Sequence, residues 1–589
     1  MRTGIIAFAW GYIMKGKLRA LSGALLVVTL AACSHKASDT PLSYVPDNTP
    51  YLIANLKPMP ADVRAAIYKQ ADQQLQMQVD QIRMGTEKLK AKDPKLAALL
   101  NVFADEFDGR TLEQGIQHMG LDPDGLSALY GLGMSPVMRF QLSDPKAYEG
   151  FVARIEKALG ASLTQGTLDK VTYRYADFGD KAKLRFLSSV QDKKAVLALL
   201  PADASPDMMR MALGLKHPDK SVQDTDRVEK LADAKGYKPY SVSYIDFRQW
   251  PALIAGEKDP MVKALLANAP EAAAKLPASC EADFARMAAR VPMVSFGLTT
   301  VEPKHIGYRV NIALASDIAK TFAGIDIGLP GMDSKNAAPL DVTFGMPVKE
   351  FRSFWMAQAD AVAAKPFTCP ALVKLNEGFG KLRMAVQKTA VPPINDLRGL
   401  RLMIDRLEIP AAGSSSKIPD VAGRVLIASD NPEGMLAMAQ MGVPALSTMK
   451  LDKNGKPVAL PADLTKMAGS TPAWAAMTDH LLGLAVGTGE EQRLADDMKA
   501  SAGSTGTLLA FRMDGSMYRK WIDLMADKAT ASMQGAIANS DDPEAAAQAK
   551  QTAKQMQQMK DQAKRIDNVI ETFHADDDGV TVDADVWHH

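Results

Sequence analysis

Short alternating apolar runs and longer stretches with helical spacing take turns along this chain in a recurring order. Thr49-Pro50-Tyr51-Leu52-Ile53-Ala54-Asn55-Leu56 predicts a strand. From about Ala61 to Lys92 the apolar positions Val63, Ile67, Leu75, Val79 and Ile82 keep helical spacing, so one face is buried and the Gln-rich face is wet. More helix is expected over 94–107 and 111–118. A hairpin follows, from Ser127-Ala128-Leu129-Tyr130 through a Gly131-Leu132-Gly133 turn to Val137–Leu142. Asp144-Pro145 then opens a helix, with Asp as the N-cap and Pro at the first helical position.

The order strand, helices, hairpin, Ser-Asp, helix returns. In a second copy Tyr240–Phe247 is the strand, helices run to about 290, and Pro292–Val301 with Ile306–Ala315 make the hairpin before Ser316-Asp317. In a third, Leu340–Phe344 is the strand and helices lie around 348–364 and 370–389. Leu400–Ile409 and Val421–Ala428 then form the hairpin before Ser429-Asp430. A fourth begins at Thr507–Phe511, has helices near 515–537 and 542–566, and closes with Asn568–Ala575 and Val580–Trp587. Each Ser-Asp step reads as a helix cap. Two insertions, 156–239 and 441–506, each carry an apolar strand running into a helix: Ala195–Leu200 into Ser205-Pro206, and Leu481–Val486 into Gly489-Glu490. The expected fold is α+β: two duplicated halves, 48–330 and 335–589. Each half holds two strand-helix-hairpin-helix units with antiparallel sheets packed by helices.

The N-terminus has its own pattern. Met14-Lys15-Gly16-Lys17-Leu18-Arg19 is basic, and Ala20–Ala32 is an apolar and small-residue run too short to span a bilayer. It ends in Leu30-Ala31-Ala32-Cys33, which resembles the lipobox of bacterial lipoproteins. The resemblance implies a signal peptide over 1–32, a lipidated Cys33 and a tether to residue 47. Ser34 after that cysteine implies outer-membrane sorting, with the body in the periplasm. Trp10 and Tyr12 fit a signal poorly, which makes Met14 a second candidate start. The opening Val45-Pro46-Asp47-Asn48-Thr49-Pro50 resembles a group of long exported bacterial proteins with a Val-Pro-x-Asp-Thr-like start. That likeness implies an α+β repeat architecture and no activity.

Removal of 1–32 takes away Arg2, Lys15, Lys17 and Arg19 and no acid, leaving 65 basic and 68 acidic residues. No basic run or basic-aromatic stripe is present, which argues against a nucleic-acid partner. Two cysteines remain, Cys280 and Cys369, each expected at the start of a helix before a hairpin. They fit either two buried thiols or a disulfide, the latter favoured by export to an oxidising compartment.

Candidate chemistry is sparse. Gly487-Thr488-Gly489 follows a strand as a dinucleotide loop would, but Gln492 stands where the third glycine belongs, and Glu490-Glu491 would repel a pyrophosphate. A glycine turn with acids complementing the helix dipole fits better. Asp576-Asp577-Asp578-Gly579 partly matches a calcium loop with Asp585, yet His574 takes its first position and alternating Val580, Val582 and Val586 say strand, hence an Asp-Gly hairpin turn. Ser414 and Lys417 make a nominal Ser-x-x-Lys in a Gly/Ser-rich hairpin tip, too solvated for a nucleophile. No GxSxG, HExxH, Walker loop or CxxC occurs, so neither a catalytic residue, a metal ligand nor a cofactor is assigned. Methionine is over-represented at 32 residues, clustered at Met208-Met209-Met211, Met435-Met438-Met441 and Met556-Met559. Such clusters form either ordinary core or an adaptable apolar groove. The reading that follows is a non-catalytic envelope lipoprotein that binds an apolar ligand or a protein partner and meets the membrane through its lipid. The competing reading is an envelope hydrolase whose site converges only in the fold.

Overall fold

A computed structural model describes residues 40–589 apart from 92, 180–182, 268, 332–337, 389–390, 409–419, 468–470, 504, 539–551, 554–555 and 558. The expected signal, Cys33 and the Ser414–Lys417 tip lie outside the described residues. The chain divides into two units: unit 1 runs to Pro303 and includes Thr368–Ala371, and unit 2 holds 304–367 and 372–589. The division thus falls at 303/304, within the expected second hairpin, rather than at 330–335.

Among its described residues unit 1 holds nine strands. They are β1 (Tyr51–Ala54), β2 (Ser127–Leu132), β3 (Ser135–Gln141), β4 (Thr164–Leu168), β5 (Val171–Phe178), β6 (Leu184–Gln191), β7 (Lys194–Pro201), β8 (Val242–Asp246) and β9 (Met293–Glu302). They pair antiparallel in the order β4-β5-β6-β7-β3-β2-β1-β8-β9. Strands β4, β5 and β6 were not foreseen: the 156–239 insertion carries four strands, not one. Side chains alternate between two faces, and both faces carry core residues, although Ile245 of β8 and Phe296 of β9 are exposed. Leu52, Tyr130, Val137, Ala198 and Leu187 share one face with the Pro206–Leu213 and Arg227–Lys235 helices. Met138, Phe140 and Ala195 line the other. There Tyr68, Leu75 and Val79 of the Ala61–Lys90 helix, Phe107, and Tyr148 and Phe151 of the Pro145–Leu159 helix cover them.

Among its described residues unit 2 holds ten: β10 (His305–Ala313), β11 (Leu340–Gly345), β12 (Leu397–Glu408), β13 (Asp420–Ser429), β14 (Val458–Ala459), β15 (Ala473–Met477), β16 (Leu481–Val486), β17 (Thr507–Asp514), β18 (Ile566–Asp576) and β19 (Gly579–His588). Their order is β14-β15-β16-β13-β12-β11-β17-β18-β19-β10, again antiparallel. In unit 1 the first strand, β1, lies between β2 and β8; in unit 2 β11 lies between β12 and β17.

The three Ser-Asp steps diverge. Asp144 caps as expected, accepting from the Lys146 and Ala147 amides at 2.8 and 3.2 Å. Asp317 sits inside the first turn of the Ser316–Ala323 helix, which has no side-chain cap. In the third, Asn431 caps by accepting from the Gly434 amide at 2.9 Å, while Asp430 pairs with Lys349 at 2.9 Å. Pro432 explains the shift, since proline favours the first helical position and moves the cap one residue on.

Candidate functional site

The sheet of unit 2 is sided in an unexpected way. Strand β11 reads Leu340-Asp341-Val342-Thr343-Phe344, and ordinary alternation would bury the apolar residues and wet the polar ones. The structure does the reverse. Asp341 and Thr343 are buried, while Phe344 is 47 % exposed.

Buried ion pairs make this sidedness stable. Arg401 on β12 donates to both carboxylate oxygens of Asp341, at 2.9 and 2.6 Å, and also to the Pro330 carbonyl. Arg424 on β13 meets Asp405 at 2.6 Å, Asp497 at 2.6 Å, and Glu490. Arg493 closes the cluster against Asp405 and Glu490. Burial works against the charge of Arg424, but Asp497, Asp405 and Glu490 outweigh it and hold its pKa above the ordinary value. Burial, with Asp405 adding to it, lifts the Glu490 carboxyl above the usual range despite Arg424. Each charge has a partner, which is the condition for keeping it in a core. Around these groups pack Met403, Leu426, Ala428, Leu481, Leu494 and Leu508.

The opposite face is apolar and half-open. Strand register puts Leu509, Phe344, Leu400, Ile427 and Leu482 in one row across β17, β11, β12, β13 and β16. The next row is Phe511, Val342, Leu402, Val425 and Leu484. Neither row holds a charge. The Pro432–Gly442 helix covers one margin, where Met435 and Leu436 pack on Leu482 and Ile427. Elsewhere Phe344, Leu400 and Leu484 are exposed, and the residues between them are half-buried.

The helices that follow β11 bury few of their own side chains. The Val348–Ala364 helix buries Ala359 alone and the Val373–Gln387 helix buries none of its side chains. Between them lies a cavity of about 250 Å³, lined by Ala359, Val362, Phe379, Arg383 and Met384 among others. Arg383 pairs with Asp360 at 3.0 Å across that helical pair. Trp355 and Met384 are exposed.

Neither family models, curated proteins nor solved structures match this chain.

The structure brings Cys280 and Cys369 together, Sγ to Sγ at 1.98 Å. Asp283, one turn along the Cys280–Arg290 helix, accepts from the Thr368 and Cys369 amides at 2.7 and 2.8 Å. Burial opposes its charge, but these amides and Thr368 hold the Asp283 carboxyl below its usual range.

The other sequence candidates are not assembled into a site. At Gly487-Thr488-Gly489 both glycines have positive φ, and Glu490 turns its carboxylate to the buried Arg424. Glu490 and Glu491 stand in the first turn of the helix as expected, and Glu490 also serves the buried ion-pair cluster. In the Asp576 turn the Asp578 and Gly579 amides both donate to Asp576 Oδ1, at 2.9 and 3.0 Å, between paired strands β18 and β19. Among the described residues no group of three or more His, Cys, Asp or Glu is placed to hold a metal. Met208 and Met209 are buried in unit 1's core, so that cluster forms no groove. In the second cluster Met435 points inward while Met438 and Met441 are exposed. Met556 and Met559 are half-buried.

Sequence reasoning missed Phe344, Leu400 and Leu484. The available signal was the charge inside apolar strands: Asp341, Arg401 and Arg424 need partners wherever they are buried. Complementary charges on neighbouring strands would have marked that face as the inner one.

Proposed function

We propose that this chain is a non-catalytic envelope lipoprotein. It would be anchored through Cys33, sorted to the outer membrane, and would hold an apolar ligand or partner on the open sheet face of unit 2. One observation carries the binding reading: two rows of apolar side chains lie together on a sheet, with Phe344 and Leu400 exposed at directly paired positions. A contiguous exposed apolar patch is a common mark of an interaction site. The duplicated-halves reading belongs to the same proposal. It is supported by the matching placement of β1 and β11, and of the insertion strands β7 and β16 beside β3 and β13.

Two measurements test the proposal. Incorporation of labelled palmitate is expected in the native chain and lost in Cys33→Ser; labelling that survives the substitution contradicts the anchor. Native mass spectrometry of the Cys33→Ser form mixed with envelope extract is expected to show an added mass, lost when Phe344 and Leu400 are changed to Asp. A clean apo mass throughout contradicts the binding reading.

A further inference from the structure

The place where the chain enters unit 1 is fixed by several contacts. Leu42 and Val45 are buried in the core that holds Met209 and Leu213 of the Pro206–Leu213 helix and Val228 and Ala232 of the Arg227–Lys235 helix. Thr40 donates to the Gln223 side chain at 2.5 Å, the Val222 amide donates to the Val45 carbonyl at 2.9 Å, and the Asp47 amide donates to the Lys220 carbonyl at 3.0 Å. Tyr44 stacks on the His217 ring, with centroids 4.3 Å apart, and the Arg139 guanidinium lies 4.1 Å from its centroid. Apolar burial, backbone bonds and stacking thus hold residues 40–47 on one side of the sheet. The Ala61–Lys90 helix covers the other side, through Tyr68, Leu75 and Val79.

We infer that unit 1 lies against its anchoring bilayer with the side carrying the Pro206–Leu213 and Arg227–Lys235 helices toward the lipid headgroups. This rests on the reading that Cys33 is lipidated, and adds which surface meets the membrane. Thr40 follows Cys33 by seven residues, a reach of at most about 25 Å even when fully extended. A helix layer, the sheet and a second helix layer are together roughly 30 Å thick. With the Ala61–Lys90 helix turned to the bilayer, Thr40 would stand on the far side of that thickness, beyond the reach of an acylated Cys33. The opposite orientation satisfies the tether. It brings His217, Asp219 and Lys220, exposed beside the entry point, to the headgroups.

The test labels the full lipidated chain with a donor dye at Lys220→Cys or, on the exposed side of the Ala61–Lys90 helix, at Lys69→Cys. Cys280 and Cys369 are bonded and Cys33 would be acylated, so the introduced thiol takes the label. Each protein is reconstituted into vesicles of phosphatidylethanolamine and phosphatidylglycerol that carry a short-range energy acceptor on their headgroups. Transfer from the Lys220 site is expected to be at least about 3-fold that from the Lys69 site. Asp219→Cys takes its place if Lys220→Cys lowers the melting midpoint. The contrast should largely vanish when about forty Gly and Ser residues are inserted after Ser34, because the reach then exceeds the thickness of the unit. Equal transfer from the two sites, stronger transfer from the Lys69 site, or a contrast that the longer tether leaves unchanged overturns the inference. Flotation with the vesicles separates the two readings. A chain that floats but shows no contrast sinks only this inference, and one that fails to float sinks the lipid anchor as well.

Discussion

Phe140 and Phe344 are both phenylalanines on antiparallel sheets, and they live in different worlds. Phe140, on the helix-covered face of unit 1, is 6 % exposed and packs edge-on against Tyr148 with ring centroids 5.8 Å apart. Phe344, on the matching face of unit 2, is 47 % exposed. Alternation along the strands does not explain the difference, since side chains alternate between two faces in both sheets. What differs is the helical layer. In unit 1 its buried residues join the core of the sheet face; in unit 2 the segment after β11 buries Ala359 in its first helix and no side chain in its second. The comparison teaches that one sheet plan can yield a two-sided core or a core with a free apolar face.

The largest expected effect tests the covalent staple. Cys280 and Cys369 are 89 residues apart, and closing a loop of that size stabilises by about 4–5 kcal/mol in the chain-entropy model. Replacing both by Ser should lower the denaturation midpoint accordingly; an unchanged midpoint would mean the hairpin tip needs no cross-link. Next comes the charge cluster that fixes which face of unit 2 is inside. Arg424→Ala leaves Glu490, Asp405 and Asp497 without their shared partner and should cost about 3–5 kcal/mol in urea unfolding. A loss below about 1 kcal/mol would show that the inverted sidedness does not depend on it.

The matched phenylalanines give the direct contrast. Phe140→Ala should cost about 3–5 kcal/mol as a buried large-to-small change, whereas Phe344→Ala, at a surface site, should stay within about 1 kcal/mol. Similar losses at both sites would erase the distinction between the two faces.

The smallest effect is in pH dependence. Burial opposes the charge of Asp246, but Arg248 and Arg227 outweigh it and hold its carboxyl below the ordinary value of 3.8. A depressed folded pKa stabilises above that ordinary value and is lost as pH falls below it. Glu490 has the opposite sign: its raised pKa makes the folded state bind the proton more tightly, so its contribution declines as pH rises through the ordinary 4.5 toward the folded value. Asp246→Asn should therefore flatten the acid limb of the melting curve below about pH 4, and Glu490→Gln should not. An acid limb unchanged by Asp246→Asn would contradict the assignment.

Much of the fold was legible in the pattern of the chain. The Ala61–Lys90 helix, the β2–β3 turn region and the Asp144 cap follow from spacing and from local chemistry that acts within a few residues. Strands β4 to β6 were not legible: Thr164–Leu168 is short and exposed, and β5 and β6 mix polar with apolar residues and owe their form to pairing with neighbours. The sidedness of β11 was not legible either, because it depends on Arg401, 60 residues away, meeting Asp341. Methionine clusters misdirected attention, since Met208 and Met209 serve the core. The candidate site is built from ordinary residues, Phe344, Leu400 and Leu484, whose meaning lies in what fails to cover them.

The open face itself is tested most directly by the fluorescence of an apolar dye added to the folded chain. The native face should raise the dye's emission strongly, and Phe344→Asp with Leu400→Asp should remove most of that rise while melting is unchanged. Equal emission from the native and doubly substituted proteins would contradict an open apolar surface on unit 2.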